Sequence, residues 1–153
     1  MKRFILLIAL FMLGLSANAQ TFQVKVIKIS DGDTFSAINR DNLELKFRIY
    51  GIDAPEKKQA FGKKAKEYLS TLIFGQIITV NVQSQDSWGR YIANVYTTDK
   101  KDVSLEMLKA GMAWHYSKYD NTLEYQEAEV RARINRRGLW IDTNGIAPWD
   151  FRK

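Results

Sequence analysis

The stretch that decides the fold is residues 47–56, which run Phe47-Arg48-Ile49-Tyr50-Gly51-Ile52-Asp53-Ala54-Pro55-Glu56. Apolar and polar residues alternate strictly from Leu43 to Tyr50, and a period of two predicts a half-buried strand. Pro55 interrupts this pattern, and helical spacing of apolar residues follows it. The strand therefore ends in a short polar segment, and the carboxylates of Asp53 and Glu56 are expected just beyond its tip.

Two strands precede this segment and two follow it. Residues 22–29 and 34–38 predict a hairpin around Asp31-Gly32-Asp33, and with residues 43–50 they predict an antiparallel meander. Residues 77–82 and 91–96 predict a fourth and a fifth strand. Helices are predicted over 59–74, 103–110 and 121–137, the last with a capping box between Asn121 and Glu124. Five short strands with two or three helices predict an α+β fold, a small closed barrel with helices packed outside it.

The N-terminus predicts export. Lys2 and Arg3 precede an apolar run from Phe4 to Leu15, and Ala17-Asn18-Ala19 offers the small residues that a signal peptidase requires. The run is too short for a spanning helix, which needs about 20 apolar residues. We therefore predict a signal peptide over residues 1–19, one domain over residues 20–153, and a secreted or periplasmic protein without stable membrane association.

The composition says little about which molecules the protein binds. The net charge is +6, and loss of the signal peptide would remove two of those charges. A modest basic excess suits a polyanionic partner without requiring one. The chain contains no Cys and one His, which argues against disulfides and against a zinc site built on Cys and His.

Three polar clusters contain the residues that carry chemistry: 31–34, 48–56 and 86–90. Asp33 and Asp53, with the main-chain carbonyl of Ala54, form an all-oxygen set of the kind that hard cations such as Ca²⁺ prefer. Arg48 and Arg90 are candidates to grip a phosphate, because a guanidinium binds two phosphate oxygens at once. Glu56 is a candidate general base for an attacking water.

Each cluster also has a plainer interpretation. Asp-Gly between two apolar runs is a hairpin signal, and Trp88-Gly89-Arg90 alone is typical of a turn. Arg48 alone is typical of a solvated strand residue, and Glu56 of an acid that favours a helix dipole. The functional interpretation depends on all of these residues occurring together.

The clusters resemble the staphylococcal nuclease (thermonuclease) family over nearly all of residues 20–153. The resemblance lies in residues 31–34, 47–56 and 88–90, and in the closing Arg137-Gly138-Leu139-Trp140. It implies a five-stranded OB-type barrel with three helices and one bound calcium ion on Asp33, Asp53 and the carbonyl of Ala54. It also implies phosphate-binding Arg48 and Arg90, a catalytic Glu56, and endonucleolytic cleavage of DNA and RNA that leaves 3′-phosphates.

Only the resemblance points to residues that stack on the nucleotide. Family members often carry Thr where this chain has Ala54, but only a main-chain carbonyl is needed there. The family packs tyrosines on the nucleotide after its second helix, which here implies Tyr116 and Tyr119. Core packing between helices would explain both tyrosines equally well. Lysines follow Glu56 in a run that either attracts phosphates or simply forms a solvated helix face: Lys57, Lys58, Lys63, Lys64 and Lys66.

The leading hypothesis is a monomeric, calcium-dependent nuclease that acts on DNA and RNA and has no implied protein partner. The alternative is a non-catalytic OB module that binds single strands without cutting them. A calcium-stabilised structural domain would explain the aspartates but not Arg48 and Arg90. A pure binder has no need to keep the carboxylates, both arginines and Glu56 together.

Overall fold

The computed structural model describes residues 20–153 of the chain. The strands are β1 (Gln20–Ile29), β2 (Thr34–Ile38), β3 (Glu44–Ile49), β4 (Ile52–Asp53), β5 (Ile77–Gln85), β6 (Tyr91–Tyr96) and β7 (Trp114–His115). Five of them close into one barrel in the order β1-β2-β3-β6-β5, and the two very short strands β4 and β7 pair with each other outside it. The predicted five-stranded barrel is confirmed.

The barrel follows from strand alternation. β1, β2 and β3 form the predicted antiparallel meander, β6 joins β3 in parallel, and β5 pairs with β1 to close the ring. Phe35, Phe47 and Ile49 are fully buried inside, and the rings of Phe35 and Phe47 stack at 5.2 Å. Because successive side chains of a strand point to opposite faces, Arg48 lies on the outer face between two core residues. Leu43, predicted on the apolar face, is exposed and precedes the strand.

Helices pack outside the barrel as expected. They are α1 (Gly62–Ile73), α2 (Val103–Lys109), α3 (Leu123–Ile134) and a four-residue α4 (Pro148–Phe151), with a 3₁₀ turn at Gly138–Ile141. The predicted capping box of α3 is wrong. The helix begins at Leu123, and Thr122 makes no capping hydrogen bond because its hydroxyl donates to Asp120 Oδ1 at 2.8 Å.

The small β4–β7 sheet places the polar segment of the chain. Ile52 pairs with His115 and Asp53 with Trp114, so the residues after β3 are tied to those after α2. Helix α1 starts three residues later than predicted, at Gly62. A Cβ at that position would collide with the carbonyl oxygen of Glu56, so the glycine permits the close approach of the helix start to Glu56.

Within residues 20–153, no helix has the length and apolar character needed to cross a bilayer. The predicted signal peptide, residues 1–19, lies outside the described residues and stays a prediction.

Candidate active site

The site is a pocket of about 580 Å³ on the outer face of the barrel. Four neighbouring strands form its floor, because Thr34 pairs with Arg48, Arg48 with Ile92, and Ile92 with Ser84. All eight residues predicted from the sequence line this pocket: Asp33, Arg48, Asp53, Ala54, Glu56, Arg90, Tyr116 and Tyr119. Residues that are up to 86 positions apart in the chain are thus brought to one surface.

The two aspartates are fixed by different elements. Asp33 precedes β2; its Oδ2 accepts a hydrogen bond from the Ala54 amide at 2.8 Å, and its Oδ1 accepts one from the Thr34 hydroxyl at 3.0 Å. Asp53 ends β4, and its side chain is only 1% exposed. The Asp33–Ala54 bond ties the loop after β1 to the segment after β4, so Asp33, Asp53 and Ala54 are neighbours.

Arg48 lies between the two carboxylates. Its Nη2 is 3.1 Å from Asp53 Oδ1 and 3.6 Å from Asp33 Oδ2, and its side chain is 14% exposed. Burial disfavours the charged guanidinium, but Asp33 and Asp53 outweigh that effect and raise the pKa of Arg48. Arg48 is therefore a fixed positive charge on the pocket floor.

Burial also acts on the carboxylates. Desolvation raises the pKa of Asp53, and hydrogen bonds from Arg152 oppose the shift. Burial, together with the charge of Asp33, raises the pKa of Asp31 to about 6. Asp31 also accepts a hydrogen bond from the Asp33 amide at 3.1 Å. This wall of the pocket therefore favours cations, because a positive charge relieves the cost of several partly desolvated carboxylates.

Arg90 is oriented by its own turn. Its Nε donates to Asp86 Oδ2 at 2.7 Å, and its amide donates to Asp86 Oδ1 at 2.9 Å. Desolvation of Asp86 favours the neutral acid, but the hydrogen bonds from Arg90 outweigh it and lower the pKa of Asp86. Nη1 of Arg90 is 3.5 Å from the Thr34 hydroxyl. Asp86 thus binds one edge of the guanidinium, and the terminal nitrogens lie toward Thr34 at the pocket.

The donor chemistry near Asp33 and Asp53 fits a hard cation. Two carboxylates stand within 3.6 Å of one Arg48 nitrogen, and the Ala54 backbone is hydrogen bonded to one of them. Across residues 20–153 no three side chains among His, Asp and Glu form a metal-holding group. A cation here would therefore take two carboxylates, and main-chain carbonyl and water oxygens would complete its coordination.

The aromatic side of the pocket is built by Tyr116 and Tyr119, neither of which lies in the core. Tyr119 is 61% exposed, and its ring meets Tyr116 edge-on at 4.9 Å. Tyr116 is half-buried, and the Trp149 ring stacks on it in parallel at 5.5 Å. The Arg48 guanidinium lies 5.6 Å from the centre of the Tyr116 ring. One face of Tyr116 is thus taken by Trp149, whereas Tyr119 offers more free surface.

Sequence reasoning missed Arg152, which also lines the pocket. It lies in the C-terminal segment, residues 143–153. Its Nη1 and Nη2 contact Asp53 Oδ1 at 3.1 Å and Oδ2 at 2.7 Å, and Nη1 contacts Glu56 Oε1 at 2.7 Å. The hydrogen bonds to Asp53 raise the pKa of Arg152. A lone arginine near a chain end carries no pattern that could have pointed to these contacts.

Two residues of the 86–90 turn were also left without a role. Asp86 could have been found, since an Asp four positions before an Arg across a Gly turn predicts the observed pair. Trp88 is 81% exposed on the pocket rim, and its ring lies 5.6 Å from the Arg90 guanidinium. His115, the one His of the chain, is buried, and its Nε2 lies 2.7 Å from Asp120 Oδ2.

Proteins similar to this chain are known from bacteria and plants. Residues 46–142 match the family described as "Staphylococcal nuclease homologue". An "Uncharacterized endonuclease" of Haemophilus influenzae is 41% identical over 129 residues, which cover 84% of this chain and 72% of that protein. The "Micrococcal nuclease" of Shigella flexneri is 36% identical over 86% of this chain and 81% of its own. The "Staphylococcal-like nuclease CAN1" of Arabidopsis thaliana is 40% identical over 84% of this chain but only 40% of its own.

Proposed function

Because this chain belongs to the staphylococcal nuclease family, we propose that it is an exported, calcium-dependent endonuclease that hydrolyses DNA and RNA and leaves 3′-phosphates. The predicted enzyme class agrees with the names of the relatives, which are nucleases or endonucleases. One observation carries the proposal: the cationic groups Arg48 and Arg90 and the carboxylates Asp33, Asp53 and Glu56 line one pocket.

The arginines supply fixed positive charge for the phosphate. As water attacks, negative charge grows on the phosphoryl oxygens, and preorganised donors stabilise it without reorganising. Arg48 is held by Asp33 and Asp53, and Arg90 by Asp86. Because each guanidinium is already oriented by carboxylates, little conformational entropy is lost when a phosphate binds between them.

Glu56 supplies the base. Its carboxylate is partly exposed, so it can contact a water molecule that approaches from the pocket. Glu56 takes a proton as the water oxygen bonds to phosphorus. The bond from phosphorus to the 5′ oxygen breaks, its electron pair stays on that oxygen, and that oxygen takes a proton from the surrounding water to become a hydroxyl. The phosphate stays attached to the 3′ oxygen of the upstream nucleotide, which leaves a 3′-phosphate end.

Asp33, Asp53 and the Ala54 carbonyl are the residues that would hold calcium. A bound calcium ion supplies Lewis-acid stabilisation of the phosphoryl oxygens. The protein's own contribution is to hold both carboxylates in fixed positions beside Arg48 in the pocket. Tyr119, with Tyr116 behind it, would pack against a base or sugar of the bound strand.

The test is cleavage of single-stranded DNA and of RNA by residues 20–153, with calcium and with a chelator. We expect cleavage with calcium, none with chelator, and 3′-phosphate ends by mass spectrometry. Glu56→Gln should bind DNA as tightly as the parent but cut it far more slowly, whereas Glu67→Gln on the exposed face of α1 should cut normally. DNA binding without cleavage by the parent would instead support the non-catalytic OB module.

Export rests on the N-terminal pattern of residues 1–19. The proposal is that cleavage after Ala19 releases residues 20–153 from the cell or into the periplasm. N-terminal sequencing of the protein recovered outside the cytoplasm should begin at Gln20. A chain that still begins at Met1 would contradict it.

A further inference from the structure

The contact between Arg152 and the carboxylates has a direct bearing on metal binding. Among the described residues, Arg152 is the only one whose side chain is hydrogen bonded to both Asp53 and Glu56. One nitrogen, Nη1, is shared between the two acids, and Nη2 takes the other oxygen of Asp53. A guanidinium thus already lies between the carboxylate assigned to calcium and the one assigned to proton transfer.

Calcium and Arg152 require the same oxygens. Calcium binds carboxylate oxygens at about 2.3–2.6 Å and draws on the lone pairs that a guanidinium uses. Asp53 Oδ1 already accepts from both Arg48 and Arg152, and Oδ2 accepts from Arg152. A metal ion on Asp53 would also stand within a few ångströms of the Arg152 charge, where the repulsion is strong. A carboxylate has about four lone-pair positions, and three of those on Asp53 already accept from the two arginines. Calcium therefore competes with Arg152 for Asp53.

Of the two arginines on Asp53, Arg152 is the one suited to leave. Arg48 belongs to a barrel strand, and its side chain is 14% exposed, whereas the Arg152 side chain is 41% exposed. Arg152 follows the four-residue helix α4, in which Pro148 is buried and Trp149 contacts Trp114 and Tyr116. Because the Arg152 side chain is more exposed and lies near the end of the chain, displacing it costs less than displacing that of Arg48.

We propose, on the basis of the function above, that Arg152 is an internal cation that competes with calcium for Asp53 and holds Glu56 until the metal binds. Arg152 balances the buried carboxylate before metal binding, and calcium displaces it. The release of Glu56 from the guanidinium then accompanies metal binding. Arg152 is thereby a positioning residue that sets the calcium concentration at which the site becomes active.

The primary test is calcium affinity by isothermal titration calorimetry on residues 20–153, without nucleic acid. Arg152→Gln should bind calcium about tenfold more tightly than the parent, a coupling of ordinary size between two binding events. Arg152→Lys keeps the charge but has no two-pronged contact, so its affinity should lie between those of the parent and Arg152→Gln. Arg131→Gln is the matched control, because it removes one charge from the exposed face of α3.

Thermal unfolding supplies a second readout. In chelator, Arg152→Gln should unfold at a lower temperature than the parent, because Asp53 loses one of its cations. In saturating calcium that difference should shrink or reverse, since the metal replaces Arg152. A merely structural role would lower the unfolding temperature equally in both conditions and would overturn the proposal.

The outcomes separate this proposal from the one it rests on. Equal or weaker calcium binding by Arg152→Gln, with normal binding by the parent, would overturn the role of Arg152 and leave the nuclease intact. Calcium binding by neither protein would overturn the calcium requirement itself, and with it this competition. Asp53→Asn should lose most calcium binding in either background, which shows that the titrated site is this one.

Discussion

The floor of the pocket and the C-terminal segment reach the same carboxylate by different structural means. Arg48 approaches Asp53 from near the end of β3, where Phe47 and Ile49 on either side are fully buried in the barrel. Arg152 approaches it from residues 143–153, after a helix of four residues. One cation is positioned by a barrel strand, and the other by a short segment near the end of the chain.

The difference shows how one site can combine a fixed charge with an exchangeable one. The Arg48 side chain is only 14% exposed between Asp33 and Asp53, so its charge stays in place when a ligand binds. The Arg152 side chain is 41% exposed beside a four-residue helix, so it can leave Asp53 when another cation binds. The charge that stabilises a reacting phosphate should be of the first kind, because preorganisation is its source of rate.

Arg48→Ala should produce the largest loss. It removes a phosphate ligand and also leaves Asp33 and Asp53 without the cation between them. Loss of one preorganised donor typically costs about 10²–10³ in kcat, and we expect a loss in that range. The measurement is kcat on single-stranded DNA at saturating calcium.

The control for Arg48 is Arg40→Ala. Arg40 is exposed in the turn between β2 and β3 and does not line the pocket. Arg40→Ala removes the same charge as Arg48→Ala and should leave kcat unchanged. An Arg48→Ala enzyme as fast as the parent would reduce Arg48 to a structural partner of the aspartates.

Arg90→Ala should cost less, about ten- to a hundredfold in kcat, the value of one charge-assisted hydrogen bond. Arg90 belongs to a turn, and Asp86 rather than the barrel orients it. Asp86→Asn, which keeps the shape but weakens the pairing, should therefore reduce kcat in the same direction by a smaller factor. If Asp86→Asn is fully active, the turn alone orients Arg90.

Much of the pocket floor, where Arg48 lies, could be predicted from the sequence, because its structure depends on local pattern. Alternation over residues 43–50 places Arg48 on the outer face, and the segment after it places Asp53 and Glu56 beyond the strand. The closing β1–β5 pair and the β4–β7 pair could not be predicted, since registers between distant strands leave no local pattern. The error at α3 was also local: Asp120 competed for the Thr122 hydroxyl.

The contacts of the C-terminal segment, residues 143–153, could not be predicted at all. The contact of Arg152 with Asp53 spans 99 positions, and Trp149, three residues before Arg152, stacks on Tyr116. Nothing in residues 143–153 distinguishes Arg152 from any exposed arginine. Tyr116 was predicted from a resemblance, but its partner Trp149 follows the part of the chain that matches the family, residues 46–142.

Trp149→Ala should weaken the attachment of the C-terminal segment and so act in part like the loss of Arg152. Aromatic pairs are worth about 0.5–1.5 kcal/mol beyond area burial, which corresponds to roughly two- to tenfold in affinity. We expect calcium to bind tighter by a factor within that range, as measured by calorimetry. Trp149→Phe, which keeps an aromatic ring on Tyr116, should behave like the parent. Unchanged affinity in Trp149→Ala would mean that Arg152 is held by its ion pairs alone.

The smallest effect is expected from the lysines that follow Glu56, which the structure leaves exposed at 57 and 58. Both lysines directly follow Glu56, which lines the pocket. From there they would contact the phosphates of a strand without touching the scissile one. Each lost phosphate contact should reduce the slope of log affinity against log salt by about 0.7 for single strands. Lys57→Gln with Lys58→Gln should therefore flatten the salt dependence of DNA binding and leave kcat unchanged.

The control is Lys100→Gln with Lys101→Gln, in the turn after β6 and outside the pocket. It carries the same charge change and should not alter the slope. An equal change in both pairs would mean that the lysines act only through net charge.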